Sequence, residues 1–283
     1  MTAAIAFQGE LGAYSHQACF EARPDHTPLP CPTFEDAIEA VRTGRAELAM
    51  LPVENSTYGR VADMHSLLPH SGLHIIEEAF VRVHINLLAV PGTTIDQVQI
   101  AQSHTVLLGQ CRDFLTDHGI RPRVGADTAG SAQQIARLGD PAQAALASEM
   151  AGQIYGLDVL ARHIEDHDRN TTRFLIMSGT PQRPAPGSGP IKTTFVFRVR
   201  NIPAALYKAM GGFATNGVNM TKLESYMVDG QFTATQFYAD IEGHPDDAPV
   251  ARALEELSYF TSSLDILGVY PADPDHFDGG TPS

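Results

Sequence analysis

The sequence predicts an α/β protein in two domains, and three observations lead there. Through the first 180 positions, short apolar runs alternate with helically spaced apolar residues. A crowd of prolines and glycines at Thr180–Pro190 then interrupts all periodicity. Beyond it, strand and helix patterns follow one another in the order β-α-β-β-α-β. A chain of 283 residues with 43% hydrophobic side chains has enough length for two cores, since single cores seldom grow past about 250 residues.

The runs Ala4–Phe7, Leu48–Leu51, Ile85–Val90, Val98–Ala101 and Ala144–Ala147 read as buried strands. Phe34, Ile38 and Val41 carry helical spacing after Thr33, a good N-cap, and Leu107, Leu108, Cys111 and Leu115 do so after the turn at His104. This alternation predicts a mainly parallel sheet. The run Ile75–Val90 is long enough for two extended segments: either the chain crosses between two lobes around a cleft, or it forms one bent strand pair. In the second domain Phe195, Phe197 and Val199 alternate as a strand, and Leu206, Met210, Phe213 and Ala214 share a helical face. A strand from Val218, a turn at Asp229-Gly230, a strand Phe232–Ile241, a helix through Val250, Leu254 and Leu257, and a strand Leu264–Val269 complete a ferredoxin-like order. Residues 271–283, rich in Pro, Gly and Asp, read as a fraying or surface-lying tail. The expected domains are 1–180 and 191–270.

Composition narrows the function. A formal net charge of −14 lacks the basic face that nucleic acid or an anionic membrane requires, and no apolar stretch is long enough to span a bilayer. Met1–Gln8 show no basic leader or cleavable site, so the cytoplasm is the expected location. Cys19, Cys31 and Cys111 are scattered, which suits reduced structural thiols and gives no metal site. An anionic small substrate would need a few placed basic side chains and helix N-termini.

Three polar segments stand at strand ends, where open α/β folds bind ligands, and a fourth leads into a strand, where its arginine could equally lie on the surface. Gly9-Glu10-Leu11-Gly12-Ala13-Tyr14-Ser15-His16 opens a helix, with Ser15 as its cap or as an anion contact. Pro52-Val53-Glu54-Asn55-Ser56-Thr57-Tyr58-Gly59 offers Asn55 and Ser56, as caps or as ligand contacts. Ser103-His104 precedes Gln110-Cys111; His104 is an acid–base candidate or a simple cap, and Cys111 is core. Asn170-Thr171-Thr172-Arg173-Phe174 is the densest polar cluster, with a hydroxyl at Thr172 and a guanidinium fork at Arg173. No Ser-His-Asp order, paired carboxylates or H-E-x-x-H pattern accompanies them.

Taken in order, G-x-x-G-x-Y-S-H, P-x-E-N-S-x-x-G, S-H with Q-C, and N-x-T-R-F resemble the prephenate dehydratase family, and Gly217–Ser225 resembles its ACT regulatory domain. The resemblance spans nearly the whole chain. It implies a bilobal catalytic domain like periplasmic binding proteins, a C-terminal ACT domain, decarboxylative dehydration of prephenate to phenylpyruvate in phenylalanine biosynthesis, and no cofactor. By the same resemblance Thr172, Arg173, Asn55, Ser56 and Ser15 are catalytic, with Thr171, Asn170, Tyr14, Phe174 and His104 at the substrate. Ala205, Leu206, Asn219, Met220, Glu224 and Ser225 would hold an effector, L-phenylalanine, in a homodimer or homotetramer. Two departures weigh on regulation: Ala204-Ala205-Leu206 replaces G-A-L, and Glu224-Ser225-Tyr226-Met227 replaces E-S-R-P, losing an arginine fork. Competing readings are an arogenate or cyclohexadienyl dehydratase and a non-catalytic amino-acid sensor.

Overall fold

The computed structural model describes residues 3–167, 169–200, 202–227 and 234–274. In chain order its elements begin with β1 (Ala4–Gln8), α1 (Tyr14–Ala22), β2 (Thr27–Cys31), α2 (Phe34–Arg42), β3 (Leu48–Asn55), β4 (Gly59–Arg60), α3 (Ala62–Leu67), β5 (His74–Arg82) and β6 (Asn86–Ala89). Next come β7 (Ile100–Ser103), α4 (Thr105–Gln110), α5 (Arg112–Asp117), β8 (Arg121–Val124), α6 (Thr128–Leu138), β9 (Gln143–Ala147), α7 (Glu149–Tyr155), β10 (Asp158–Ala161) and β11 (Thr171–Ser178). The last are β12 (Ile191–Val199), α8 (Ala205–Thr215), β13 (Met220–Met227), β14 (Ala234–Glu242), α9 (Ala248–Phe260) and β15 (Thr261–Pro271). The expected Asp229-Gly230 turn and the start of its second strand at Phe232 lie outside the described residues. The chain divides into two units, Met1–Arg60 with Phe80–Phe174, and Val61–Ala79 with Leu175–Ser283.

The first unit holds two sheets. In one, β2, β1 and β3 run parallel, the short β4 folds back on β3, and β11 lies beside β3. In the other, of order β10-β6-β9-β7-β8, β9, β7 and β8 are parallel, β6 runs against β9, and β10 runs against β6 and so in the direction of the first three. Each expected strand run falls on an observed strand. Periodicity missed β2 and β8, whose Pro28, Pro30 and Pro122 argue against a strand; both are edge strands, where a missing N–H costs no ladder bond. Ile75–Val90 forms two extended segments, β5 and β6, and because these lie in different sheets the chain crosses between sheets here and does not form a bent strand pair. Thr33 caps α2 as expected, accepting from the Asp36 N–H at 3.1 Å. The helix after His104 breaks at Cys111 into α4 and α5.

The second unit contains β12-α8-β13-β14-α9-β15 with sheet order β13-β14-β12-β15, all neighbours antiparallel. One sheet face packs Phe195, Phe197, Phe237, Ala239 and Ile241 against Phe213 of α8 and Val250, Leu254 and Leu257 of α9. The other face is polar yet buried: Lys192, Thr194, Tyr238, Asp240 and Tyr270 are all 0% exposed. Residues 61–79 pack on it. The His65 ring meets Tyr238 edge-on at 5.1 Å, Lys192 Nζ donates to both Glu78 oxygens at 2.7 and 2.8 Å, and β5 pairs with β15 at Ile75 and Gly268. The tail is held at its start, where a fraying or surface-lying segment was expected: Ala272 N–H donates to the Pro190 carbonyl and Asp273 N–H to Glu78.

Candidate active site

Strand alternation explains the centre of the site. On β3 and the adjoining β11, side chains point alternately to opposite faces, so Asn55 shares a face with Thr172 and Glu54 shares the other with Arg173. Asn55 Nδ2 donates to Thr172 Oγ1 at 3.0 Å and to Asn170 Oδ1 at 2.7 Å, while Asn55 Oδ1 accepts from the Thr57 and Tyr58 N–H groups, both at 3.0 Å. Ser56 stitches the same edge: its hydroxyl donates to the Arg169 carbonyl and accepts from Thr171 N–H, and its own N–H donates to the Thr171 carbonyl. Asn55, Ser56, Asn170, Thr171 and Thr172 are thus one hydrogen-bonded group. The Thr172 oxygen already accepts a bond from Asn55, which leaves its O–H to donate elsewhere.

Arg173 and Phe174 lie inside, 3% and 1% exposed. Arg173 Nη1 donates to Glu54 Oε1 at 2.8 Å, so this guanidinium is buried beside a matching carboxylate. Glu54 was overlooked by motif reading; the alternation of β3 was the signal that set it opposite Arg173.

The glycine-rich turn docks on the second sheet's elements. Gly12 has φ +92°, and a Cβ there would stand 2.8 Å from the Ala151 Cα in α7, so neither the conformation nor the space admits a side chain. Ser148 Oγ donates to the Gly12 carbonyl and the Tyr155 hydroxyl to that of Leu11. Ala13 takes the N-cap position of α1, and Ser15, buried within the first turn, does not; the expectation that Ser15 caps this helix is corrected. Tyr14 donates its hydroxyl to the His84 carbonyl at 2.8 Å. Burial, with Cys111 and Glu165 nearby, pushes that hydroxyl well above the usual tyrosine range and keeps it protonated.

His104 is exposed and caps α4 through Nδ1, which accepts from the Val106 N–H at 3.3 Å. Tyr58 reaches the same helix, its hydroxyl donating to the Val106 carbonyl at 3.1 Å. Ser103 is fully buried, donating to the Leu146 carbonyl, and Cys111 is core as expected. Two buried polar atoms here lack a partner among the described residues, Gln110 Oε1 and Asn170 Nδ2; such atoms are rarely left unpaired in a working protein. No group of three His, Cys, Asp or Glu suited to a metal occurs among the described residues, and no helix there is long and apolar enough to cross a membrane.

Two α/β sheets thus carry a sparse polar group where β3 and β11 lie side by side. The family model for prephenate dehydratase matches residues 5–182, and the chain belongs to that family. It is 53% identical over 271 residues, covering 95% of this chain and 96% of the other, to a bifunctional N-acyl-homoserine lactone acylase/prephenate dehydratase of Komagataeibacter europaeus. It is 38% identical to arogenate dehydratase/prephenate dehydratase 1, chloroplastic, of Arabidopsis thaliana, across 95% of this chain and 72% of that protein. Among solved structures, prephenate dehydratase from Arthrobacter aurescens in complex with L-Phe superposes with a TM-score of 0.87 at 31% identity, over 99% of this chain and 92% of that one.

Proposed function

We propose that this protein converts prephenate to phenylpyruvate, with residues 1–180 catalytic and residues 191–270 an ACT regulatory domain that senses L-phenylalanine. The observation that carries the catalytic reading is the Asn55 Nδ2 to Thr172 Oγ1 bond at 3.0 Å. In the reaction the ring carboxylate departs as carbon dioxide, its bonding pair enters the ring as the C–O bond to the ring hydroxyl breaks, and a proton completes water. Thr172, polarised by Asn55, supplies the hydrogen bond or proton to the departing oxygen. A threonine is a weak acid, so orientation and electrostatics must provide most of the effect. Ser56, Thr171 and Asn170 hold that edge, and Ser15, Tyr14, Phe174 and His104 shape the surroundings. Arg173 contributes its charge from within the β3–β11 layer, paired to Glu54. Asn170 Nδ2 is a donor for a substrate oxygen, and Gln110 Oε1 an acceptor for the substrate hydroxyl.

Thr172→Val preserves shape and removes the hydroxyl; general-acid groups contribute roughly 10²–10⁴-fold, so turnover should fall by at least about 10²-fold with the fold intact by circular dichroism. Unchanged phenylpyruvate production would overturn the reading, and binding of prephenate without conversion by the unaltered protein would favour a sensor. Arogenate run in parallel separates the two substrates, a comparison the Arabidopsis relative makes pressing. The relative at 53% identity favours a second activity, hydrolysis of N-acyl-homoserine lactones, tested by release of free homoserine lactone.

The regulatory reading is supported by the β-α-β-β-α-β order of the second unit and by the L-Phe-bound state of the Arthrobacter relative. Ala205, Leu206, Asn219, Met220, Glu224 and Ser225 are the proposed effector contacts, in a homodimer or homotetramer. The two departures have structural counterparts. Ala204, at the position where the family often has glycine, has φ +61°, a conformation costing a non-glycine residue about 1 kcal/mol. Tyr226 replaces the arginine, and its hydroxyl accepts from Gln236 Nε2, whose Oε1 in turn accepts from Arg198 Nε at 2.6 Å.

A further inference from the structure

A second polar cluster in the first unit is used by no step above. Glu165, in the loop between β10 and β11, has a side chain only 5% exposed. Its Oε1 lies 3.0 Å from His84 Nδ1 and its Oε2 accepts the Ile85 N–H at 2.9 Å. The His163 ring stacks on His84 at 3.9 Å and 13°, from a left-handed backbone with φ +51° that histidine seldom adopts. The His84 carbonyl is the atom that receives the Tyr14 hydroxyl.

Among the described residues, 83–85 and, on the other side, 162–167 with 169–170 belong to the two connections between the sheets of this unit. They are laced together: Ile164 N–H donates to the Ile85 carbonyl at 2.9 Å, and Val83 N–H to the Asn170 carbonyl at 2.8 Å. From Asn170 the hydrogen bonds continue through its Oδ1 to Asn55 Nδ2 and from there to Thr172 Oγ1. An unbroken path therefore runs from Glu165 and His84 to the hydroxyl assigned to the reaction. A carboxylate buried at such a junction is a poor source of stability, because apolar packing would serve as well without the desolvation cost. Its value lies in fixing geometry. We propose that Glu165 and His84 are positioning residues for Thr172, clamping the two connections so that Asn170 and Asn55 present the threonine hydroxyl in its productive orientation.

This inference rests on the assignment of Thr172 above, and the experiment keeps the two apart. Glu165→Leu, Glu165→Gln, His84→Leu and His84→Asn would be assayed with prephenate beside Thr172→Val, with circular dichroism on each. Misplacement of about 1 Å can cost about 10²-fold in rate. The expected result for Glu165→Leu and His84→Leu is accordingly a kcat lowered by about tenfold or more, with KM within about twofold, since orientation of a reacting group is felt in turnover and not in ground-state binding. His84→Asn, whose Nδ2 can donate to Glu165, should recover kcat to within about threefold of the unaltered protein. If either leucine variant fails to fold, Glu165→Gln carries the test: it keeps an acceptor for Ile85 N–H while losing the charge, and should lower kcat with KM held. Wild-type kcat in the leucine variants, or losses that track only the unfolded fraction with no rescue by asparagine, would overturn the inference. Should Thr172→Val remain active, the catalytic assignment falls; should it be inactive while all Glu165 and His84 variants turn over normally, the positioning role alone falls.

Discussion

His16 shows how much one side chain settles. Its Nδ1 accepts the Gly12 N–H at 2.9 Å, and its ring stacks on Phe7 with centroids 5.6 Å apart. Burial holds its pKa below the usual 6.5, and a proton on Nδ1 would remove the acceptor that fixes the glycine-rich turn. A depressed folded-state pKa means the unfolded chain binds the proton more readily. The stability His16 contributes is therefore complete above about pH 6.5 and lost as pH falls below it. Thermal unfolding followed from pH 7 to 5 should show a falling midpoint, and His16→Asn, whose Oδ1 can accept the same N–H, a flatter profile. Equal slopes for the two proteins would exclude His16 as the source. The thiols sit at the opposite extreme of use: burial pushes Cys19 up to about 12 and Cys111 higher still, so both remain unreactive core groups.

At the scale of elements, β12 carries the sharpest contrast between its faces. Phe195 and Phe197 bury an apolar stripe against α8 and α9, whereas Lys192 and Thr194 bury charge and hydroxyl on the reverse. Thr194 bonds Asp240 and Tyr270, both at 2.6 Å, and Lys192 bonds Glu78. Removing one partner from a buried ion pair strands the other, at a cost of about 3–5 kcal/mol. Lys192→Met should lower denaturant stability by that amount, measured by urea titration, and Lys192→Met with Glu78→Gln should recover part of it. A single variant as stable as the parent would show the pair to be dispensable.

For the molecule as a whole, the instructive feature is that Val61–Ala79 belongs with Leu175–Ser283. The polypeptide leaves the first unit immediately after the Asn55–Tyr58 turn, packs α3 and the start of β5 on the buried polar face of the second, and returns as β5 ends. Cutting the chain at Thr180 removes β12 and β15, and with them the Lys192 ammonium that bonds Glu78 and the strand that pairs at Ile75, now 1% exposed. A fragment of residues 1–180 is therefore expected to aggregate or to lose cooperative unfolding, readable by gel filtration and calorimetry. A monomeric fragment with a sharp transition would show that residues 61–79 need no cover.

Local chemistry was readable without coordinates wherever a few neighbouring residues decide the outcome. Thr33 as a cap, the alternation of Phe195 and Phe197, the β-α order and the four polar segments that resemble prephenate dehydratases all follow from short-range pattern, because capping, pleat and helical period are properties of adjacent positions. The placement of Asn55 beside Thr172, 117 residues apart in sequence, depends on which strand lies next to which. So do the pairing of Glu54 with Arg173, of Glu165 with His84 and of Glu78 with Lys192. Each joins residues about 80 or more positions apart. Sheet neighbours are chosen by global packing of apolar faces, which carries no local signature, and the acidic partners of Arg173, His84 and Lys192 were decided there.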